Sequence, residues 1–367
     1  NGEVIRTGPV DLHSRGYGEL CAKDTLEGRL YREVPSVIRR SRAGEKPTWP
    51  KVEKSSSGYR LDKALEGSTF DLGKLICGSE GTLAIVLAAT LRIVDRPGAK
   101  GLLVLYFKSL KDAARGVVEA VATGASAVEM IDERVVEALR ERAPKDAARF
   151  KPDTRAALFV EYLGKDGPEV EARMEAGWRR LREGTGLAVD DQATTDPATM
   201  EDLWRIRRGV EPLLSEMGGS RVPVGFVEDT AVPLERLAEH VEALYAIFER
   251  HGLRAAAYGH AATGHLHIRP FLDLRNASDR ATMREVAAEV FSHTRRLGGT
   301  MSGEHGDGLV RSEFLASFFG DAFEAMVEIK RLFDPKGILN PGKKTQAAPG
   351  QIVRDLRAER SPASRAE

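Results

Sequence analysis

The stretch Tyr258-Gly-His-Ala-Ala-Thr-Gly-His-Leu-His-Ile-Arg-Pro270, with its distant companion Thr300-Met-Ser-Gly-Glu-His-Gly-Asp-Gly308, organises the reading of this chain. The two segments hold four of the eight histidines in 367 residues, set among glycines that let backbone and side chains crowd one point. Residues 255–268 read as strand, glycine turn, strand. On a strand that starts near residue 266, His265 and His267 project from one face by the two-residue period, and His260 on the preceding turn can approach either. Neutral imidazole is the commonest metal ligand, and a carboxylate from a separate segment is its usual complement in an open catalytic site. Glu304, between Gly303 and Gly306, is the natural candidate. His305 beside it points away on an extended chain and is available as a general base. Taken singly, each histidine reads as an ordinary hydrogen-bonded or surface residue. Their clustering in two glycine-rich loops turns the reading towards a metal site next to a redox cofactor. Two reaction classes stay open at this level: metal-assisted hydrolysis, and oxidation of an alcohol whose oxygen sits on the metal.

The rest of the chain can house such a site. Its length allows two or three domains, and 42% apolar residues suffice for ordinary cores. Acids and bases balance at 55 each, so the basic footprint of a nucleic-acid binder is absent and no nucleic-acid partner is expected. Two cysteines, Cys21 and Cys77, exclude a disulfide-stapled fold and a thiolate cluster within the chain. No apolar run reaches membrane-spanning length and no export signal is evident, so a cytoplasmic location, or a peripheral one at the membrane, is expected. The chain does not begin with Met, which suggests a processed or partial product.

In chain order, residues 3–6 read as a short strand, and residues 24–42 as a charged helical stretch that Pro35 should interrupt. Gly78-Ser-Glu-Gly-Thr82 is a tight turn leading into an apolar strand over 83–89; taken alone it is a plain connection or a cradle for a pyrophosphate or a flavin carbonyl. Pro97 to Gly101 marks a domain boundary. Strands and helices then alternate to about residue 183, with no G-x-G-x-x-G opening a helix. That predicts an α+β fold with a mixed or antiparallel sheet and disfavours a classical dinucleotide-binding fold. Residues 200–209 form a helix with three arginines, read first as a solvated face and otherwise as a carboxylate-binding group. Residues 222–232 read as a strand with the acidic pair Glu228 and Asp229, and residues 234–250 and 278–297 as amphipathic helices. Residues 313–333 are helical again. The charged tail from about 345 reads as disordered.

The quoted motifs, followed by Phe333-Asp-Pro-Lys-Gly-Ile-Leu-Asn-Pro-Gly342, resemble the C-terminal region of the FAD-linked oxidases. This is the family of D-lactate, glycolate and D-2-hydroxyglutarate dehydrogenases with the vanillyl-alcohol-oxidase-type FAD fold. Gly58-Tyr59 and Gly78 to Leu83 resemble the second half of its FAD-binding domain. Leu203 to Arg207, Phe226 to Pro233 and Arg311 fit the branch fused to an iron–sulfur domain. The resemblance implies that residues 1–97 are the second half of a FAD-binding domain. Residues 98–290 would then be a substrate or cap domain with a ferredoxin-like sheet and the metal site, 291–344 a helical segment returning to the flavin, and 345–367 a disordered tail. It further implies His260, His267 and Glu304 as ligands of a divalent metal, zinc by expectation, in place of the pair His265 and His267 that periodicity suggests. His305 becomes the catalytic base and Arg207 the holder of the substrate carboxylate. Gly58, Tyr59, Gly78, Ser79, Gly81, Thr82 and Asn340 would line the FAD.

The implied activity is oxidation of a small D-2-hydroxy acid by hydride transfer to flavin N5, with an iron–sulfur domain or electron-acceptor protein as partner. The Gly-rich pyrophosphate loop and the iron–sulfur domain expected of the family are not in these 367 residues. The alternative is therefore a non-catalytic fragment or subunit that needs a partner supplying the other half of the FAD domain.

Overall fold

The computed structural model describes residues 2–43, 49–217, 219–354 and 356. They form two compact units, one of residues 2–43, 49–50, 54–91, 300–354 and 356, the other of residues 51–53, 92–217 and 219–299.

The second unit is built on a seven-stranded sheet of β4 (Ala99–Phe107), β5 (Ala127–Ile131), β6 (Ala156–Gly164), β7 (Asp190–Thr194), β8 (Val222–Pro223), β9 (Ala255–Gly259) and β10 (His267–Leu272). Its order is β7-β4-β6-β5-β9-β10-β8 and all its pairings are antiparallel. β7-β4-β6-β5 is the spatial strand order of a ferredoxin-like sheet, with helices Glu133–Arg142 and Pro144–Ala147 inserted between β5 and β6, so the expected α+β class holds. Residues 101–107 of β4 read as one apolar run because both faces of the strand are covered. Leu102, Val104 and Tyr106 join one core cluster with Leu203, Ile206 and Val210. Leu103 and Phe107 face the helices Gly167–Trp178 and Leu110–Val121. Ser109 caps the latter helix by accepting from Asp112 N at 3.0 Å, as its sequence predicts. Asp132 caps helix Glu133–Arg142, and its other oxygen accepts from Ala257 N at 2.8 Å, tying that helix start to β9.

The first unit holds three two-residue strands, β1 (Val10–Asp11), β2 (Leu65–Glu66) and β3 (Thr69–Phe70), in the order β1-β3-β2, and is otherwise mainly helical. Several expectations are corrected here. Residues 3–6 form no strand. Helix Leu26–Ala43 runs through Pro35 without a break. Proline removes the hydrogen bond to the carbonyl four residues back, and that carbonyl, Tyr31 O, instead accepts from the Tyr17 hydroxyl at 2.8 Å. Residues 83–89 join no sheet, although their sequence is strand-like. Gly320, at φ 54°, splits the expected 313–333 helix into Leu315–Phe319 and Asp321–Phe333. The tail assigned to disorder from 345 instead includes helix Gln351–Arg354, with Gln351 and Ile352 buried; beyond 356 it lies outside the described residues.

Helices Leu237–Arg250 and Ala277–Arg296 carry a stacked pair, His240 on His293, with ring centroids 5.5 Å apart. Burial, reinforced by the neighbouring His293, lowers the His240 pKa from 6.5 to about 3. The unfolded chain therefore takes up this proton first, and the stability of the neutral buried form is lost as pH falls from 6.5 towards 3. Urea unfolding at pH 7 and pH 5 tests this: the drop in stability in His240→Gln is expected to be smaller than in the parent by about 2 kcal/mol.

Candidate active site

The β9–β10 hairpin places the histidines. It pairs His267 with Tyr258, and a short 3-10 turn, Ala261–Thr263, carries the chain between the strands. Gly264 closes the turn at φ 67°, where a Cβ would lie 1.9 Å from the Val232 carbonyl oxygen. No side chain fits there, and the close approach lets Val232 N donate to Gly264 O at 3.0 Å. Ala231 forms a bridge with His265, which lays the segment carrying Glu228 and Asp229 along the histidine turn. Residues 222–232 were expected as one strand. Only Val222–Pro223 pairs as a strand, and the rest turns through residues 226–229 to reach this position.

Three imidazoles converge as a result. Ring centroids lie 4.8 Å apart for His265 and His267, 5.2 Å for His260 and His267, and 5.6 Å for His260 and His265. His265 is fully buried, with Nε2 2.6 Å from Asp229 Oδ1. His260 Nδ1 lies 2.6 Å from Glu129 Oε1. The other oxygen of Glu129 accepts from Arg207 Nε at 3.0 Å and Nη2 at 2.6 Å. Burial works against ionisation of Glu129, yet the His260 hydrogen bond and the Arg207 charge hold its pKa below the usual carboxylate range. Arg207 also lies over the Tyr258 ring at 5.1 Å, and Arg269, paired with Glu211, lies over it at 5.8 Å. Arg207 is thus a buried, oriented group, unlike the solvated helix face that its helix suggested. Sequence reading missed Glu129, Tyr258 and Arg269 as members of this cluster. Arg269 stands inside the opening motif and could have been flagged there, whereas nothing local marks Glu129.

The first unit gathers the residues expected to line a flavin. The turn at Gly78, Glu80 and Gly81 has φ of 76°, 55° and 70°. Gly78 and Gly81 are exposed and leave their backbone open to a ligand, whereas Ser79 and Thr82 are buried. The Tyr59 hydroxyl is bonded to Thr82 Oγ1 at 2.7 Å, and Thr82 Oγ1 donates to Ser79 O at 2.6 Å, so these side chains shape the turn from behind. Asn340 Nδ2 donates to Glu80 O at 2.6 Å. Glu80 accepts from Asp307 N at 2.6 Å and Gly308 N at 2.9 Å, and Gly58 N donates to Asp307 at 2.8 Å. At the centre sits Lys344, wholly buried, with Nζ 2.7 Å from Asp307 and 2.9 Å from Glu80. Burial alone would lower its pKa, but the two carboxylates raise it above the usual lysine value. Glu304 and His305 belong to this same unit. Their side chains do not diverge as an extended chain would require: His305 Nε2 is 3.9 Å from Glu304 Oε1, and Lys54 Nζ is 3.2 Å from Glu304.

The donor chemistry fits a divalent cation, since imidazoles backed by carboxylates are the usual setting of metal-bound histidine. The exposed glycine turn fits the close approach of a flavin or phosphate group.

The family model "FAD linked oxidases, C-terminal domain" matches residues 96–344. The chain belongs to this family. D-2-hydroxyglutarate dehydrogenase of Pantoea ananatis is 32% identical over 355 residues, covering 93% of this chain and 34% of the relative. D-lactate dehydrogenase of Archaeoglobus fulgidus is 31% identical over 294 residues, covering 80% of this chain and 60% of the relative. The chain thus spans about a third of the first of these relatives. Among solved structures, p-cresol methylhydroxylase with substrate bound superposes with a TM-score of 0.50 at 13% identity, covering 68% of this chain and 53% of that one. That likeness is one of fold, of the vanillyl-alcohol-oxidase type.

Lys344→Met removes the cation from between Glu80 and Asp307 and leaves two buried carboxylates facing each other. Chemical denaturation is expected to show a loss of roughly 3–5 kcal/mol, and a change within 0.5 kcal/mol would contradict the central place given to this lysine.

Proposed function

We propose that this chain forms the larger part of the substrate-oxidising centre of a FAD-dependent dehydrogenase acting on a small D-2-hydroxy acid of the lactate, glycolate or 2-hydroxyglutarate type. The observation that carries the reading is the converged histidine cluster linked through Glu129 to the buried guanidinium of Arg207, in a chain of the FAD-linked oxidase family. The names of the relatives support the substrate class.

In this reading Arg207 binds the substrate carboxylate by charge-assisted hydrogen bonds. Glu129 orients that guanidinium and, from Nδ1, sets the tautomer of His260. His305 accepts the hydroxyl proton on a ring nitrogen as general base. His260 and His267, with Glu304 added by the family resemblance, would hold a divalent cation, zinc by expectation. Gly78 and Gly81, shaped by Gly58, Tyr59, Ser79, Thr82 and Asn340, would receive FAD. When bound, the cation supplies positive charge for the substrate oxygen and FAD supplies the acceptor of the hydride. An acceptor protein or an iron–sulfur domain would take up the electrons.

A second reading, in which the activity requires polypeptide from outside these residues, is favoured by one specific feature. Ile85, Val86, Leu87, Leu91, Ile93 and Val94 are 64% to 90% exposed, in a segment without helix or strand pairing. Large apolar side chains left exposed along one such run are of the kind that marks an interaction site.

Three experiments test these readings. The enzyme, purified with any polypeptide that completes it, is expected to be yellow and to bleach anaerobically with a D-2-hydroxy acid; a colourless protein after FAD reconstitution would overturn the reading. In that preparation His260→Asn should lose one equivalent of bound metal by elemental analysis. For the second reading, Ile85→Ser with Leu87→Ser should leave the stability of the isolated chain within about 0.5 kcal/mol, yet reduce flavin retention in the completed enzyme. Unchanged retention would count against a docking role for the segment.

A further inference from the structure

The family resemblance leaves Asp229 and His265 without a part, and the structure gives them an unusual setting. Both are 0% exposed. His265 Nε2 is 2.6 Å from Asp229 Oδ1, yet neither ring nitrogen of His265 has a hydrogen-bond partner. A simple carboxylate–imidazole pair at this distance would aim its N–H at the carboxylate, because the hydrogen bond weakens steeply away from linearity. Here the two groups crowd together out of line. An imidazole buried without a hydrogen bond costs free energy that some other partner must offset.

A third donor lies against them. One ligand atom each from Asp229, His265 and His267 falls within 4.8 Å of the others, and all three side chains are buried. The set is carboxylate, imidazole, imidazole, which suits zinc or a similar borderline cation. Donors around a tetrahedral zinc stand about 3.3 Å apart for bonds of about 2.0–2.1 Å. An ion therefore needs Asp229 and His265, now 2.6 Å apart, to part by about 0.7 Å and the remaining donors to close in.

The backbone that creates this grouping is tied by hydrogen bonds on both sides. Val232 N donates to Gly264 O at 3.0 Å, and Ile268 N donates to Glu228 O at 3.3 Å, one on each side of the histidine pair. The space at Gly264 admits no side chain. The 228–232 segment is thus clamped against residues 264–268 of its own unit.

We propose that Asp229, His265 and His267 hold a divalent cation of their own, a second position beside the one that His260, His267 and Glu304 are proposed to serve. The two positions share His267, which serves both at once as the imidazolate, its N–H proton released to solvent. The second needs nothing from outside the unit that folds around the seven-stranded sheet.

The probe is Co2+ added to the chelator-treated full chain, read by bound equivalents and by the visible absorption of the tetrahedral ion; no flavin or turnover is required. The parent is expected to bind two equivalents, and His265→Asn and Asp229→Asn one fewer each, with unchanged far-UV circular dichroism. The double variant His260→Asn with Glu304→Gln leaves all three proposed donors, shared His267 included, untouched and should still bind one equivalent. If that double variant binds none, or if His265→Asn and Asp229→Asn bind as many equivalents as the parent at the same affinity, the proposal is wrong. Should neither of those two variants fold, the double variant decides alone. Failure of the dehydrogenase reading would appear separately, as a protein that takes up no FAD while still binding cobalt.

Discussion

The ammonium of Lys344 is the constraint on which the first unit depends. It lies where residues 56–58, 80, 307 and 344 itself meet, accepted by two carboxylates and by the carbonyls of Ser56 and Gly58 at 3.0 and 3.1 Å. A buried charge is stable only when paired and fully hydrogen-bonded, so each partner fixes the others. Glu80 is held in a left-handed backbone conformation by this demand, and a Cβ at Gly306 would stand 2.6 Å from the Glu80 carboxylate. The exposed glycine turn at 78–81 takes its shape from a charge that lies more than 260 residues further along the chain.

The other unit solves a related problem with a different device. Its histidine turn is brought to Asp229 by a backbone approach that only Gly264 permits, and to Arg207 by the shared carboxylate of Glu129. Glu129 sits on β5, Arg207 on helix Pro197–Arg208 and His260 just after β9, so the sheet order decides that they meet. β5 lies beside β9 because the ferredoxin-like order leaves β5 at the edge, where the histidine hairpin extends the sheet. In both units, then, ionic groups are committed to holding geometry before any ligand arrives. Such preorganisation lowers the cost of binding and of charge development.

Much of this was legible in the residues. The alternation of strands and helices, the serine cap at 109 and the hairpin of 255–268 follow from local pattern. The histidine segment announced its own importance. Other features were not legible. Pro35 does not break its helix because a hydroxyl from another segment replaces the lost hydrogen bond, and no local rule contains that hydroxyl. Residues 83–89 look like a strand and still lack a partner among the described residues, since pairing is a property of two segments. Lys344 stands just before the stretch that reads as a charged tail, and its burial depends on carboxylates remote in sequence.

The sequence by itself determined which chemistries are on offer: imidazoles and a carboxylate in glycine-rich loops, an arginine-bearing helix, a glycine turn open to a ligand, and membership in a family of flavin-linked oxidases. Those depend on residue type and short spacing, which a single chain displays directly. Only the tertiary structure decided which groups act on one another. Glu129 was joined to both Arg207 and His260, Asp229 was set against His265, and Lys344 was buried between Glu80 and Asp307. The reason is physical: charges and ring nitrogens interact over a few ångströms, and which of them come that close is settled by sheet order and backbone packing.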